Sequence, residues 1–444
     1  MAHLTFKKGV HPPSNKSFTE HRSIERIPVP ETLLVPLSQH LGVPANPVVQ
    51  KGDHVAVGDL LGEAPRLISA RIHSPAAGVV KRIVDQPLPG GNLAQYVEIT
   101  VDREATERHT FPGNDVDPAS VSREQLLEII RAAGVVGMGG ATFPTDVKFS
   151  PTKDKSLDVL VVNGAECEPY LTCDHRVMVE ETEALMRGCR ALHNAYRFEA
   201  IYIAIEANKP DAIKAFEDLI AVYSDLPIKV VSLSTKYPQG AEKMLVRTVT
   251  GRVIPTGKLP LDVGAVVCNV QTLFAIYEAY FFRKPVIERV LTVSGAGIDR
   301  PKNIRALVGT PLELLVEHCG GITGPVNKVV AGGPMTGTSL PTLDYSVSKG
   351  SSGFLFLTNA DVETENPCIR CSRCVSVCPM NLMPLKLAAY SRAGRYSELK
   401  RLAVNSCFEC GSCSFVCPAK INIVAYVRHA KKYIRLHNAR ENKR

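Results

Sequence analysis

The cysteines of this 444-residue chain are concentrated near its C-terminus, in two copies of one spacing. Each copy reads Cys-x2-Cys-x2-Cys-x3-Cys-Pro, and the two copies end at Pro379 and Pro418. Three thiolates this close together can bind three corners of an iron–sulfur cube, while the fourth cysteine is carried away toward a second cube. The duplicated run therefore predicts two [4Fe–4S] clusters.

The spacing also predicts how the thiols are divided between the clusters, because the fourth cysteine of such a run ligates the other cluster. We therefore expect a first quartet of Cys368, Cys371, Cys374 and Cys417, and a second quartet of Cys407, Cys410, Cys413 and Cys378. Zinc sites, which usually use CxxC pairs or histidine, and disulfides, which need an oxidising compartment, are the alternatives. Five cysteines lack ligand spacing and are expected to be unligated: Cys167, Cys173, Cys189, Cys268 and Cys319.

A glycine-rich segment in the first half of the chain has the composition of an anion-binding loop. It begins at Gly137 and reads Gly-Met-Gly-Gly-Ala-Thr-Phe-Pro-Thr. Gly137, Gly139 and Gly140 let backbone N–H groups approach an anion, and Lys148 adds a positive charge. The segment follows a predicted helix, Ser122–Ala133, so it is neither a Rossmann fingerprint nor a P-loop. A plain glycine-rich turn is the alternative.

Strands and helices alternate after this loop. The predicted strands are Leu157–Val162, Ala200–Ile205, Ile228–Leu233 and Val263–Cys268, and the predicted helices are Val177–Leu192, Asp211–Val222 and Ala241–Val249. This order is typical of an α/β layer with a mostly parallel sheet, in which ligands collect at the carboxyl ends of the strands. Polar side chains follow two of the strands: Asn163, Glu166 and Glu168 after the first, and Asn269 and Thr272 after the last. We expect a binding site at that edge.

The other parts of the chain differ in composition and in the pattern of apolar residues, which predicts further domains. Residues 1–34 read as an irregular lead-in that packs on another domain, and 35–105 as a lipoyl-like β barrel-sandwich with glycine and proline turns. The α/β domain is expected to span 118–285. A small mixed sheet with one helix, a β-grasp domain, is expected at 286–358, and a helical cluster-binding domain at 359–444.

Composition limits the class of protein. With 45% hydrophobic and 22% charged residues the chain resembles ordinary soluble globular proteins. No apolar signal peptide begins it, and no run of about 18 uncharged apolar residues could cross a bilayer. The net charge of +8 is partly concentrated in the last helix, where Arg428, Lys431, Lys443 and Arg444 have only Glu441 nearby in sequence. That helix is either a docking face for an acidic partner or anionic lipid, or a solvated surface.

Three segments together resemble a known family. The loop that starts at Gly137, with Lys148, and the segment Asn163–Pro169 resemble the flavin- and NADH-binding loops of the 51-kDa flavoprotein subunit of respiratory complex I. Asn269–Leu273 is similar to the Asn-Val-Glu-Thr-Leu segment of that family. The order of the domains is similar to that of the C subunit of the Rnf ion-translocating oxidoreductase, over nearly the whole chain. The resemblance implies a Rossmann-like flavin/NADH domain, an SLBB-type β-grasp domain and a ferredoxin-type tail.

The same resemblance implies bound FMN, NAD(H) as substrate and two [4Fe–4S] clusters. It assigns the flavin phosphate to Gly137, Gly139, Gly140 and Lys148, and the flavin ring and ribityl chain to Asn163, Glu166, Asn269 and Thr272. Glu166 and Glu168 are expected near the nicotinamide, and Glu242 matches one acid of a Tyr…Gly-Glu-Glu loop of the family. Four residues depart from the family pattern, which weakens the match for the NAD(H) contacts: Met138, Thr142, Ala165 and Ala241.

The function that the resemblance implies is electron transfer between ferredoxin-derived iron–sulfur carriers and NAD, in a peripheral subunit at the cytoplasmic face of the cell membrane. Other subunits of the complex, including an iron–sulfur subunit that receives electrons from ferredoxin, would move Na⁺ or H⁺. Because the flavin mediates the chemistry, no side chain is expected to act as an acid or a base. A soluble NADH-dependent flavin/iron–sulfur reductase of the cobalamin-reductase or diaphorase type, and a non-catalytic electron-transfer adaptor, are the alternatives.

Overall fold

The computed structural model describes residues 3–113, 121–151, 155–360 and 364–441. The expected start of the α/β domain at residue 118 lies outside these ranges, as do the tail cations Lys443 and Arg444. No helix in the described part of the chain is both long enough and apolar enough to cross a bilayer.

The lead-in is less irregular than the sequence predicts. Its strand β1, Ile24–Arg26, pairs in parallel with the strand Lys302–Leu307 of the β-grasp domain. A short 3₁₀ turn at Lys16–Phe18 precedes it. β1 supplies backbone partners to an otherwise open sheet edge, and local composition does not reveal this long-range pairing.

The barrel-sandwich begins at Thr32 and not at residue 35, because the expected lead-in already contains the start of its first strand. An antiparallel sheet of order β2-β8-β7-β4 and a second sheet of order β3-β5-β6 share one apolar core, which includes Leu33, Leu61 and Val97. The elements are β2 Thr32–Pro36, β3 Asn46–Pro47, β4 His54–Val55, β5 Leu60–Glu63, β6 Ile72–His73, β7 Gly78–Pro87, β8 Leu93–Val101 and helix α1 Arg103–Arg108.

The α/β domain has the expected parallel sheet, in the order β11-β10-β9-β12. The predicted helix after Ser122 forms with its capping box to Gln125, and Gly134 ends it at φ +62°. The elements are α2 Arg123–Ala132, α3 Thr145–Lys148, β9 Val159–Gly164, α4 Cys173–Glu180, α5 Thr182–Tyr196, β10 Ala200–Glu206, α6 Pro210–Ile220, β11 Ile228–Leu233, α7 Glu242–Thr250, β12 Ala265–Asn269 and α8 Val270–Phe282.

The single helix predicted from Val177 to Leu192 is wrong, because the structure breaks it at Glu181. Glu181 has φ −124° and ψ 25°, outside the helical region. The hydroxyl of Thr182 donates to the carbonyl of Met178 at 2.6 Å. This side chain therefore takes a backbone acceptor at the junction of α4 and α5, a competition that weakens a continuous helix.

The β-grasp domain is a six-stranded mixed sheet of order β1-β14-β13-β17-β15-β16 with one helix packed on it, as expected. Leu312 and Leu315 of the helix share the core with Leu291 and Val293 of the sheet. The elements are β13 Glu288–Ser294, β14 Lys302–Leu307, α9 Leu312–His318, β15 Lys328–Ala331, β16 Thr338–Leu340 and β17 Gly353–Leu357.

The C-terminal domain is helical, with α10 Arg373–Ser376, α11 Pro384–Arg392, α12 Tyr396–Arg401, α13 Ser412–Phe415 and α14 Ile423–Glu441. Val427 and Ile434 of α14 are buried in its core. The expectation that the cations of α14 face only Glu441 is wrong: Arg428 and Lys431 pair with Glu409 at 3.0 and 2.7 Å. Glu409 lies in the cysteine-rich loop, which is distant in sequence, so part of the positive charge of the tail is neutralised.

Candidate cofactor sites

The glycine-rich segment forms a closed loop that is open to solvent at its tip. Gly137 donates its N–H to the carbonyl of Phe143 at 2.8 Å, which fixes the base of the loop. Gly139, Gly140 and Ala141 are exposed at the tip. Their three backbone N–H groups make no hydrogen bond to the described residues. Free donors on a glycine-rich turn are what an anionic group binds.

Two residues at the start of helix α8 hold this loop. Asn269 caps α8 by accepting the N–H groups of Gln271 and Thr272. The hydroxyl of Thr272 accepts the N–H of Met138 at 2.8 Å. A side chain at position 139 would place its Cβ 2.7 Å from the amide nitrogen of Asn269, whereas a Cβ at Gly140 would meet open space. Close packing against Asn269 therefore requires glycine at position 139, whereas position 140 faces outward.

The helix that follows the loop ends at a lysine that pairs with a glutamate of another helix. Lys148 is the last residue of α3, the helix that follows the loop, and its ammonium pairs with the carboxylate of Glu242 at the start of α7. An ammonium group has three donors, so this pair leaves Lys148 able to bind a second anion. The donor set of the loop and Lys148 thus fits the phosphate of a flavin mononucleotide.

Asn163 and Asn269 lie side by side, in register on the neighbouring strands β9 and β12. The amide of Asn163 donates to the carbonyl of Gly240 at 2.9 Å, which ties the end of β9 to the loop that leads into α7. The expected cluster of polar side chains at the carboxyl edge of the sheet is therefore present, and it adjoins the glycine loop.

Glu166 holds a helix end. Its carboxylate accepts the N–H groups of Asp174 and His175 at 2.7 and 3.2 Å, in the first turn of α4. Asp174 in turn accepts the side-chain amides of Asn269 and Gln271. Burial and the nearby carboxylate of Glu166 raise the pKa of Asp174 to about 6. These bonds make Glu166 part of the support of the loop.

Glu168 points toward a different domain. Its carboxylate accepts the N–H of Met335 at 3.0 Å and the hydroxyl of Thr336, both in the β-grasp domain. Burial raises its pKa. The helix after this loop is capped by Glu166 and not by Glu168. Among the described residues, Glu168 makes no hydrogen bond to the glycine loop.

Lys16 is a supporting residue that the sequence does not reveal. It comes from the lead-in, is 4% exposed, and donates to the carbonyls of Glu166, Glu168 and Leu171. Glu166 and Tyr170 in this loop have positive φ angles of 47° and 67°. A buried cation that binds three carbonyls holds the loop in this unusual conformation. No local motif around Lys16 signals such a long-range contact.

The four thiols of the first quartet lie on one cavity of about 420 Å³, together with apolar residues of α11 such as Leu385 and Ala388. Cys368 and Cys371 are exposed, and Cys374 is buried. The neighbouring Ile369 is 69% exposed. The cavity therefore opens to the surface of the domain.

The four thiols of the second quartet line a separate and tighter cavity with Pro379, Met380 and Leu382. Burial raises the pKa of Cys407 to about 11. Thiols must lose their protons to bind iron, so assembly of a cluster here would release protons. The fourth cysteine of each run lines the cavity of the other run. All thirteen cysteines, which lie in the described residues, are free thiols. The disulfide alternative is therefore not supported.

The domains match four family models. They are the Nuo51 FMN-binding domain over residues 130–278, the RnfC barrel sandwich hybrid domain over 4–104, the SLBB domain over 290–339 and the 4Fe-4S dicluster domain over 367–421. These matches confirm the expected fold class and the order of its domains.

Three relatives are similar over most of their length. The C subunit of the proton-translocating ferredoxin:NAD(+) oxidoreductase complex of Clostridium ljungdahlii is 44% identical, over 98% of this chain and 95% of the relative. The C subunit of the Na(+)-translocating complex of Acetobacterium woodii is 40% identical, over 97% of both chains. The C subunit of the ion-translocating oxidoreductase complex of Rhodobacter capsulatus is 38% identical, over 88% of this chain and 76% of the relative.

The architecture is also similar to that of a solved structure. An NAD⁺-reducing [NiFe]-hydrogenase in the H₂-reduced state aligns with a TM-score of 0.51 and 17% sequence identity, over 72% of this chain and 61% of the hydrogenase chain. At this identity the likeness concerns architecture alone.

Proposed function

Because the chain belongs to the family of C subunits of ion-translocating ferredoxin:NAD(+) oxidoreductase complexes, we propose that it is the component at which such a complex reacts with NAD(H). It carries FMN and two [4Fe–4S] clusters and takes part in electron transfer between ferredoxin and NAD⁺ in an ion-translocating complex. The observation that carries the proposal is the presence, in one chain, of an anion-binding glycine loop and two separate cysteine quartets.

The loop would hold the flavin through its phosphate. Gly137, Gly139, Gly140 and Lys148 supply backbone donors and a positive charge. Asn163, Glu166, Asn269 and Thr272 shape the surrounding edge of the sheet. Bound FMN supplies the exchange between hydride chemistry, which moves two electrons together, and the one-electron chemistry of iron–sulfur clusters. The protein groups named here act by positioning, and no proton-transferring side chain is required of them.

We assign one cluster to each quartet. The second quartet lies on the side of the α/β domain, since the hydroxyl of Tyr237 donates to the carbonyl of Cys410 at 2.7 Å. The first quartet lies at the exposed end of the domain. The cluster of the second quartet would therefore be the one nearer to the NAD(H) site, and the cluster of the first quartet the one nearer to the protein that exchanges electrons with this chain.

The NAD(H) contacts are proposed near Glu242 and Glu168, on the two loops that flank the carboxyl edge of the sheet. Glu242 is 42% exposed in its side chain, so it is accessible to a dissolved substrate. The buried carboxylate of Glu168 is bound by Met335 and Thr336, and it would shape the base of the site through that contact.

The partner at the outer quartet is proposed to be an iron–sulfur subunit that receives electrons from ferredoxin. Arg370 and Arg392 line the mouth of this cavity beside the exposed Ile369. A basic rim around an apolar centre fits an acidic protein surface and steers its approach. Since ferredoxin and NAD(H) are dissolved reactants, we place the chain on the cytoplasmic face of the membrane, bound to subunits that move Na⁺ or H⁺.

Affinity isolation of the tagged chain from detergent-solubilised membranes tests this assignment. We expect membrane subunits to be isolated with the chain, and the reduction of NAD⁺ by reduced ferredoxin in the preparation to depend on them. Recovery of the chain alone from the soluble fraction, with full ferredoxin-dependent activity, would favour a soluble reductase instead.

A further inference from the structure

The second quartet is held against the rest of the protein at several points. Gly9 of the lead-in donates its N–H to the carbonyl of Val377, which directly precedes Cys378, at 3.0 Å. The ammonium of Lys8 donates to the carbonyl of Val375 at 3.2 Å. The bond of Gly9 fixes the residue before Cys378, whereas Val375 lies between Cys374 of the first quartet and Cys378 of the second.

Tyr237 fixes the other side of the same quartet. Its hydroxyl donates to the carbonyl of Cys410 at 2.7 Å, and the residue is 3% exposed. The backbone of Tyr237 is itself fixed by two hydrogen bonds with Val10, of 2.8 and 2.9 Å. A buried tyrosine with a fixed backbone holds its hydroxyl in one place, so the Cys410 carbonyl is held as well.

The loop of Cys410 is also confined from the β-grasp domain. Gly411 has φ +82°, and a Cβ at this position would lie 2.6 Å from the carbonyl oxygen of Met335. The loop that carries three thiols of the second quartet is therefore confined at two adjacent residues, Cys410 by Tyr237 and Gly411 by Met335. Among the described residues, the first quartet has no comparable hydrogen bond to the α/β domain.

We propose that Tyr237 is a positioning residue for the cluster of the second quartet, and that its hydrogen bond to Cys410 sets the environment, and with it the reduction potential, of that cluster alone. Net charge, solvent exposure and hydrogen bonds to the sulfurs set the potential of a cluster, and the Cys410 carbonyl that Tyr237 binds belongs to the residue that supplies one of these sulfurs. The hydroxyl directs the positive end of its dipole at the loop. Its removal should make the reduced cluster, which carries one more negative charge, less stable. This inference rests on the proposed function, because it takes the second quartet as a cluster site.

Tyr237→Phe in the full-length chain, isolated without oxygen, tests the proposal. Both clusters are followed through a redox titration by electron paramagnetic resonance, with iron and FMN content measured on the same sample. We expect the midpoint potential of one cluster to move to a lower value and that of the other to stay in place. Cys417→Ser and Cys378→Ser identify which signal belongs to which quartet.

Tyr196→Phe is the matched control, because Tyr196 also donates its hydroxyl to a backbone carbonyl, that of Phe149 at 2.6 Å, away from both quartets. It should leave both potentials unchanged. Gly411→Ala disturbs the same loop through its contact with Met335 and should alter the same signal as Tyr237→Phe. If Tyr237→Phe lost the cluster of the second quartet and kept that of the first, this result would equally support the positioning role.

Two results would overturn the proposal, and they are distinguishable. If Tyr237→Phe retains two clusters and FMN with both potentials unchanged, or moves both potentials equally, the positioning role is wrong while the proposed function stands. If the unsubstituted chain itself lacks FMN or one of the clusters, the proposed function and this inference both fail.

Discussion

The ammonium of Lys16 lies 2.9 Å from the carbonyl oxygen of Glu166, a residue 150 positions further along the chain. The contact joins the N-terminal segment to the loop at the carboxyl edge of the α/β sheet. Since the carboxylate of Glu166 also caps α4, the two residues connect the lead-in, the loop and the helix whose Asp174 contacts Asn269. The shape of the flavin site therefore depends on residues well outside the domain that contains it.

Lys16→Met should weaken FMN binding by about tenfold and lower the melting temperature. It leaves three loop carbonyls without their donor, and an unsatisfied buried polar group costs about 1–3 kcal/mol. FMN affinity is measured by flavin fluorescence on the apoprotein. Lys7→Met, which replaces an exposed lysine of the same segment, is the control and should bind FMN normally. Normal FMN affinity in Lys16→Met would show that the lead-in does not support the site.

Gly139→Ala and Gly140→Ala should separate the structural glycine from the one that faces the ligand. Gly139→Ala forces its Cβ against Asn269, so it should destabilise the apoprotein and weaken FMN binding. Gly140→Ala meets open space and should leave the stability of the apoprotein unchanged, while it weakens FMN binding. Melting temperature without flavin and FMN affinity are the two measurements. Normal FMN affinity in Gly140→Ala would exclude the tip of the loop from the phosphate site.

The crossed assignment of the cysteines is tested by two single substitutions. Cys417→Ser should remove the cluster of the first quartet, although Cys417 belongs to the second run, and Cys378→Ser should remove the cluster of the second quartet. Iron content should fall by about half in each, and different resonance signals should disappear. Cys189→Ala, which replaces a buried cysteine outside both quartets, should retain both clusters. Loss of the same signal in both variants would contradict the assignment.

Lys349 should make the stability of the protein depend on pH. It is fully buried, donates to the carbonyls of Arg71 and Gly134, and burial lowers its pKa to about 7. Between this value and the ordinary pKa of lysine, the unfolded chain holds a proton that the folded protein has released, so stability rises with pH across that window. Relative to Lys349→Met, the wild-type protein should gain on the order of 2 kcal/mol between pH 6 and pH 9.

Denaturant unfolding of both proteins at the two pH values measures this difference. Lys214→Met, which removes an exposed lysine of α6, is the control, and its difference from the wild type should not change with pH. A constant difference between the wild type and Lys349→Met would show that Lys349 stays charged in the folded protein across this range.

The sequence predicted those features that depend on local spacing. The spacing of the two cysteine runs predicted how the thiols divide into quartets. The location of the site was predicted from the glycines at 137, 139 and 140 and from the polar residues Asn163 and Asn269 at the strand ends. The alternation of strands and helices along the α/β domain followed from the pattern of apolar segments. These patterns act over short distances, so a single sequence displays them.

The features that the sequence did not predict depend on contacts between distant segments. Strand β1 forms only because an edge of the β-grasp sheet accepts it. The role of Lys16 depends on carbonyls of another domain. The pairing of Arg428 with Glu409 likewise requires the folded cysteine-rich loop. None of these contacts leaves a local pattern in the chain.

The central claim is that one polypeptide holds a flavin and two iron–sulfur clusters that exchange electrons with NADH. The most direct test is anaerobic isolation of the chain, with assays of iron, acid-labile sulfide, zinc and flavin, followed by titration with NADH and detection of reduced clusters by electron paramagnetic resonance. We predict one FMN and two four-iron clusters per chain. The resonance signals of reduced clusters should appear after addition of NADH only when FMN is bound. Zinc in the cysteine-rich domain, absence of flavin, or fully assembled clusters that NADH cannot reduce in the presence of FMN would contradict the account.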